Sequence, residues 1–164
     1  MKNFVIAFFI IFSALQAQAA NNCALNDIAI GASYSDVKSK YKITTDGGLA
    51  SSKYFTVQAR GSNFCDKMLP QTEVKLLFIE NKLAQITFSN FDDKQSILES
   101  VKKSFGESNA KNIANKYGKE DMINWSFDNK KVVFAKRKTA PFEVFNITGI
   151  EFDEELVSQS QNGE

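Results

Sequence analysis

Between Glu73 and Ser89 the chain reads EVKLLFIENKLAQITFS. Val74, Leu76 and Phe78 fall at every second position, the alternation breaks at Glu80-Asn81-Lys82, and it resumes at Ala84, Ile86 and Phe88. Successive side chains of a strand point to opposite faces, so this is the pattern of an antiparallel hairpin with one face buried. A buried face needs a cover, and segments with apolar stripes at helical spacing flank the hairpin on both sides. The expected fold is therefore α+β: an antiparallel sheet built from two hairpins plus flanking strands, with two to three helices packed on one face.

The flanking segments fill in this outline. Ser33, with Asp36 three residues on, resembles a capping box, and Tyr34, Val37 and Tyr41 make one apolar stripe of a short helix. After the Asp46-Gly47-Gly48 turn signal, Phe55, Val57 and Ala59 share one face of a strand over Lys53–Ala59, followed by a loop from Arg60 to Thr72. Asp92-Asp93 precedes Lys94–Phe105, where Ile97, Leu98, Val101 and Phe105 predict an amphipathic helix stopped by Gly106. Ser108–Tyr117, closed by Gly118, predicts a further helix. A second hairpin is expected from Ile123, Trp125 and Phe127, the turn Asp128-Asn129-Lys130, and Val132–Ala135, then one or two last strands over 142–147 and 149–152. Ser35–Tyr41 and Glu99–Phe105 look alike, and each precedes a hairpin tipped by Asn-Lys, which suggests a helix-then-hairpin unit used twice.

The first residues have a different character. Lys2, the apolar run Phe4–Phe12 and Ala17-Gln18-Ala19 form the pattern of a secretory signal peptide, expected to be cleaved after Ala19; a retained membrane anchor is the alternative. The expected organisation is residues 1–19 as signal peptide, 20–155 as one domain and 156–164 as a frayed polar tail, with no stable membrane insertion after cleavage. Residues 20–22 before Cys23 are not a lipobox, so no lipid anchor is expected. Cys23 and Cys65 are the only cysteines, and in an exported chain such a pair is read first as a disulfide, a free thiol being the alternative. The implied localisation is periplasmic or secreted.

Charge narrows the partners. Without Lys2 the chain holds 19 basic and 19 acidic residues, a balance that argues against nucleic acid. Residues 94–138 nevertheless carry 11 basic and 5 acidic side chains, and residues 139–164 carry none and 6. Either these faces answer one another across the fold or they form a patch for a partner. Trp125, Lys130, Lys131, Lys136, Arg137 and Lys138 are the candidate partner-binding residues, the cations forming a basic rim for an acidic partner or a charged guard on a sheet edge. Among the large aromatics, Tyr54, Phe55, Phe91, Phe142 and Phe145 belong either to the core or to a recognition surface.

Catalytic machinery is hard to assemble from these residues. There is no histidine, which removes imidazole acid-base chemistry, serine triads and the commonest metal ligand. No glycine pattern matches a phosphate loop. Asp92-Asp93 and the acids from Glu151 to Glu155 could in principle bind calcium or act as a glycosidase pair, but the first suits a helix cap and the second a solvated run. No catalytic residue, metal or cofactor is expected, and the chain is read as not an enzyme.

The order helix, hairpin, helix, hairpin, the Gly31-x-Ser33-x-x-Asp36-Val37 start and the Val74-x-Leu76-x-Phe78-x-x-Asn81-Lys82-Leu83 hairpin resemble the β-lactamase-inhibitor-protein-like domains. That group includes the small outer-membrane assembly lipoproteins of the SmpA/OmlA type, from which this chain departs in lacking a lipobox cysteine. The resemblance implies a non-catalytic domain that binds another protein through a sheet face or hairpin tips. The expected function is thus an exported protein-binding domain: an inhibitor, an immunity-type protector or an envelope-assembly accessory, with another protein of the envelope or exterior as partner. The alternative is a periplasmic module for a small or polymeric envelope ligand.

Overall fold

The structure, a computed structural model, describes residues 25–44, 52–65, 71–92, 96–106, 111–114, 120–138 and 140–161. The signal-peptide segment and Cys23 lie outside them, as do Asp93 and Lys94. Seven strands, β1 (Tyr54–Arg60), β2 (Glu73–Ile79), β3 (Lys82–Asn90), β4 (Lys111–Ala114), β5 (Glu120–Ser126), β6 (Lys130–Arg137) and β7 (Glu143–Gly149), form one sheet in the order β1-β2-β3-β7-β6-β5-β4. Every neighbouring pair is antiparallel. Two meanders, β1-β2-β3 and β4-β5-β6-β7, are thus joined side by side through β3 and β7. Each is preceded by a helix, α1 (Tyr34–Lys40) or α2 (Leu98–Phe105), and α3 (Asp153–Gln161) ends the described chain.

The central hairpin forms as its alternation requires. Val74 faces Phe88 and Leu76 faces Ile86, all fully buried. Glu80 and Asn81 both take positive φ, 48° and 65°, the conformation of a two-residue turn whose twist matches the strands it joins. A bulge between Leu77 and Phe78 lets Phe78 pair with Leu83 and leaves Ala84 as the extra residue. Leu83 stays on the main core while Ala84 turns to the other side of the sheet, where it meets Ile79 and Phe152.

Helices α1 and α2 cover the inner face. Ser33 caps α1, its Oγ accepting the Asp36 N–H at 3.2 Å, and Val37 is the buried residue of this short helix. Val101 and Phe105 of α2 are buried against the sheet, and Gly106, at φ 80°, closes the helix where a side chain would strain the backbone. The seam between the meanders is aromatic: Phe88 of β3 stacks on Phe145 of β7 at 4.6 Å, with Phe64 edge-on at one side and Phe105 at the other. Each buried Phe contributes roughly 1.5–3 kcal/mol of transfer free energy, so this row holds the two halves together.

The described chain opens on a 3-10 turn at Leu25–Asp27, with Leu25 in the core. Three segments differ from the sequence expectation. Within Ser108–Tyr117, residues 111–114 pair with β5 as a strand, the tertiary pairing overriding a weak helical stripe. Gly149–Phe152 ends β7 and turns into a 3-10 helix instead of making another strand. Finally, the expected boundary at 155 falls inside α3, and the tail read as frayed is helical to Gln161. Leu156 packs by Ile79, Ala84 and Phe152, and Glu155 accepts the Tyr54 hydroxyl at 2.6 Å, so this helix lies on the outer face at one end of the sheet. Three acids in its first turn suit the helix dipole.

Candidate partner-binding surface

Two of the candidate residues do not reach a surface. Trp125 is 0 % exposed, its indole N–H donating to the Gly106 carbonyl at 2.7 Å beyond the end of α2. Lys130 is also buried: its ammonium donates to the Asn26 carbonyl at 2.6 Å and lies 5.8 Å from the ring centres of both Phe105 and Phe127. Burial pushes its pKa below the usual lysine value, partly offset by Asp27. Both are structural, because β5 and β6 turn these positions to the inner face in phase with Ile123, Val132 and Phe134. Lys131 is turned outward and pairs with Asp153 at the start of α3.

Lys136, Arg137 and Lys138 come together at the opposite end of the sheet. There β6 leaves through a tight turn at Ala140-Pro141 and returns as β7, beside the end of β3 and the start of α2. The Arg137 N–H donates to the Phe142 carbonyl at 3.0 Å, and the Phe142 N–H to the Ala140 carbonyl at 2.7 Å. The Arg137 guanidinium lies 5.6 Å from the Phe142 ring, whose centre is 5.1 Å from that of Phe91. Phe91 is 59 % exposed, the one aromatic among the large apolar side chains displayed by the described residues, which otherwise include Ile150 and Val157. Its backbone is fixed by Asn90, whose side chain bonds across it to Asp92: Oδ1 accepts the Asp92 N–H at 3.2 Å and Nδ2 donates to the Asp92 carbonyl at 3.3 Å.

Next to this stack is a cleft of about 380 Å³. Lys136, Arg137 and Lys138 line it together with the Ala140-Pro141 turn, Asp92, Ser96 and Glu143. Glu143 is 4 % exposed, and it accepts the Ile97 N–H at 2.8 Å, the Ser96 hydroxyl at 2.8 Å and the Lys136 ammonium at 3.1 Å. Burial alone would raise its pKa, but the Ile97 and Ser96 hydrogen bonds and the Lys136 charge outweigh that and hold it below the ordinary glutamate value. This carboxylate, supplied from β7, takes the N–H of the residue just before α2, and the helix starts at Leu98 rather than at the expected Lys94. Lys138 reaches Asp121 at 3.3 Å, with both side chains exposed.

The basic middle and acidic end of the chain therefore do answer one another, through Lys136–Glu143 and Lys131–Asp153. The role of Glu143 is not evident from composition, but its phase is a signal: it stands two and four positions before Phe145 and Ile147 on an inward-facing register. Among the described residues no three His, Cys, Asp or Glu side chains converge as a metal site requires. No protein-family model, curated protein or solved structure matches the chain.

Proposed function

We propose that this protein is an exported, non-catalytic protein-binding domain, an inhibitor, immunity-type protector or envelope-assembly accessory, acting in the periplasm or outside the cell. The observation that carries the reading is the exposed Phe91 seated on Phe142 and rimmed by Arg137 and its basic neighbours. A pre-ordered aromatic with a polar rim is the composition of an interface hot spot, because binding buries much apolar area and orders little. The helix-then-sheet order that carries the resemblance to β-lactamase-inhibitor-protein-like domains supports the same class. In the proposed oxidised form Cys65, buried and not a free thiol, is joined to Cys23.

The second reading, a module for an envelope ligand, has the 380 Å³ cleft in its favour, although its lining is polar and charged. Both are tested with the mature protein as bait in envelope extract of its source, compared with Phe91→Ala. The expectation is a specific protein captured by the wild type and lost with the variant while circular dichroism is unchanged. Equal capture by both removes the Phe91 surface. Turnover in a hydrolase panel, abolished by a single carboxylate substitution that leaves the fold intact, overturns the non-catalytic reading.

A further inference from the structure

The cleft beside Phe91 has a chemistry of its own. Its floor, Glu143, has its charge answered by the Lys136 ammonium, the Ile97 N–H and the Ser96 hydroxyl, so an incoming cation would meet Lys136 before any acceptor in need of a donor. Asp92, the other acid in the lining, is engaged within the fold, and so is Arg137. Arg137 rests against the Phe142 ring, and its N–H donors lie in the guanidinium plane, at the edge of that contact. Lys138 pairs with Asp121, with side-chain exposures of 51 % and 70 %. Such a pair gains little in water and is screened by salt, so it opens readily to a second carboxylate that arrives in a less solvated place.

We infer that the cleft receives the carboxylate of an acidic residue in a partner's peptide segment, through Lys138, while an adjacent aromatic or large apolar residue of the same segment lies on Phe91. The inference rests on the protein-binding reading above and names the chemistry of the partner. The cleft volume accommodates a side chain, and the tight Ala140-Pro141 turn and the Asn90 bonds hold both walls in place before binding. Lys136 takes no part beyond fixing Glu143.

The test is titration of the isotope-labelled mature protein with acetyl-Phe-Glu-amide, acetyl-Phe-Gln-amide and acetyl-Ala-Glu-amide, followed by amide chemical shifts. The Phe-Glu peptide is expected to shift the amides of Phe91, Ser96, Lys138 and Glu143, with the other two peptides weaker by about tenfold, the scale of one charge-assisted hydrogen bond or one lost aromatic contact. Lys138→Glu and Phe91→Ala, both at exposed positions, are expected to weaken the Phe-Glu peptide by a similar factor while shifts elsewhere stay unchanged. Equal response to Glu and Gln peptides, indifference to Lys138→Glu, or no localised shift at millimolar peptide overturns the inference. If that happens while the protein captured in extract still depends on Phe91, the protein-binding reading survives and the carboxylate chemistry alone fails.

Discussion

Glu143 offers the sharpest test of how the two halves of this domain depend on one another. Substituting it by alanine leaves the Ile97 N–H, on a residue 1 % exposed, without its acceptor, at a cost of about 1–3 kcal/mol. Ser96 is exposed and the Lys136 side chain is 50 % exposed, so both are rehydrated and add little. With the lost side-chain packing, Glu143→Ala should destabilise by roughly 2–4 kcal/mol, and Glu143→Gln, which keeps an oxygen for Ile97, by about half that. The pH dependence separates charge from shape. A carboxyl held below its ordinary value contributes stability that is complete above the unfolded glutamate pKa of about 4.3 and is lost as pH falls through the lowered folded value. The gap between wild type and Glu143→Gln in urea denaturation should therefore be widest near pH 7 and close in acid, as pH falls through the lowered folded value. A gap that stays constant over that range, or a Glu143→Ala cost below about 0.5 kcal/mol, would refute the account of a cap charged and supplied from β7.

Other expectations concern the core and its ties. Trp125, the only tryptophan, should emit at short wavelength and resist iodide quenching; an exposed, readily quenched emission would contradict its burial. Gly149→Ala should destabilise by about 1–3 kcal/mol in thermal melts, since a Cβ there would run into the Ile30 side chain and stand 2.8 Å from Phe152, and an unchanged melt would show that both yield without cost. Burial, with a further push from Asp27, raises the Tyr41 phenol from 10.0 to about 12, so its contribution is present below about pH 10 and lost as pH rises toward 12; Tyr41→Phe should abolish that part of the alkaline loss, and an unchanged alkaline profile would refute it. Reduction of the proposed Cys23–Cys65 bond, which would close a loop of 42 positions, should lower stability by roughly 3–4 kcal/mol, whereas an unmoved melting temperature would show the two are not joined.

The likeness of Ser35–Tyr41 and Glu99–Phe105 has a structural counterpart. Val37 and Val101 are buried at matching places in α1 and α2, and a meander follows each helix. The turns differ in detail: Lys82 is exposed after one tip, whereas Lys130 after the other is drawn inside between Phe105 and Phe127.

Residues a few positions apart set much of this molecule. The alternation of Val74, Leu76 and Phe78, the Ser33 cap and the Gly106 stop were legible because strand pleat, capping and helix termination are decided within one or two turns of chain. Of the candidate surface, Lys136–Lys138 and the aromatics Phe91 and Phe142 could be named, but not that they meet. Only the tertiary structure decided that β3 joins β7, that 111–114 becomes a strand, that Leu156 and Glu155 hold α3 on the sheet, and that Glu143 and Lys130 turn inward while Phe91 stays out. Each of those outcomes depends on partners dozens of residues away, whose burial and hydrogen bonds outweigh local preference once the chain is closed.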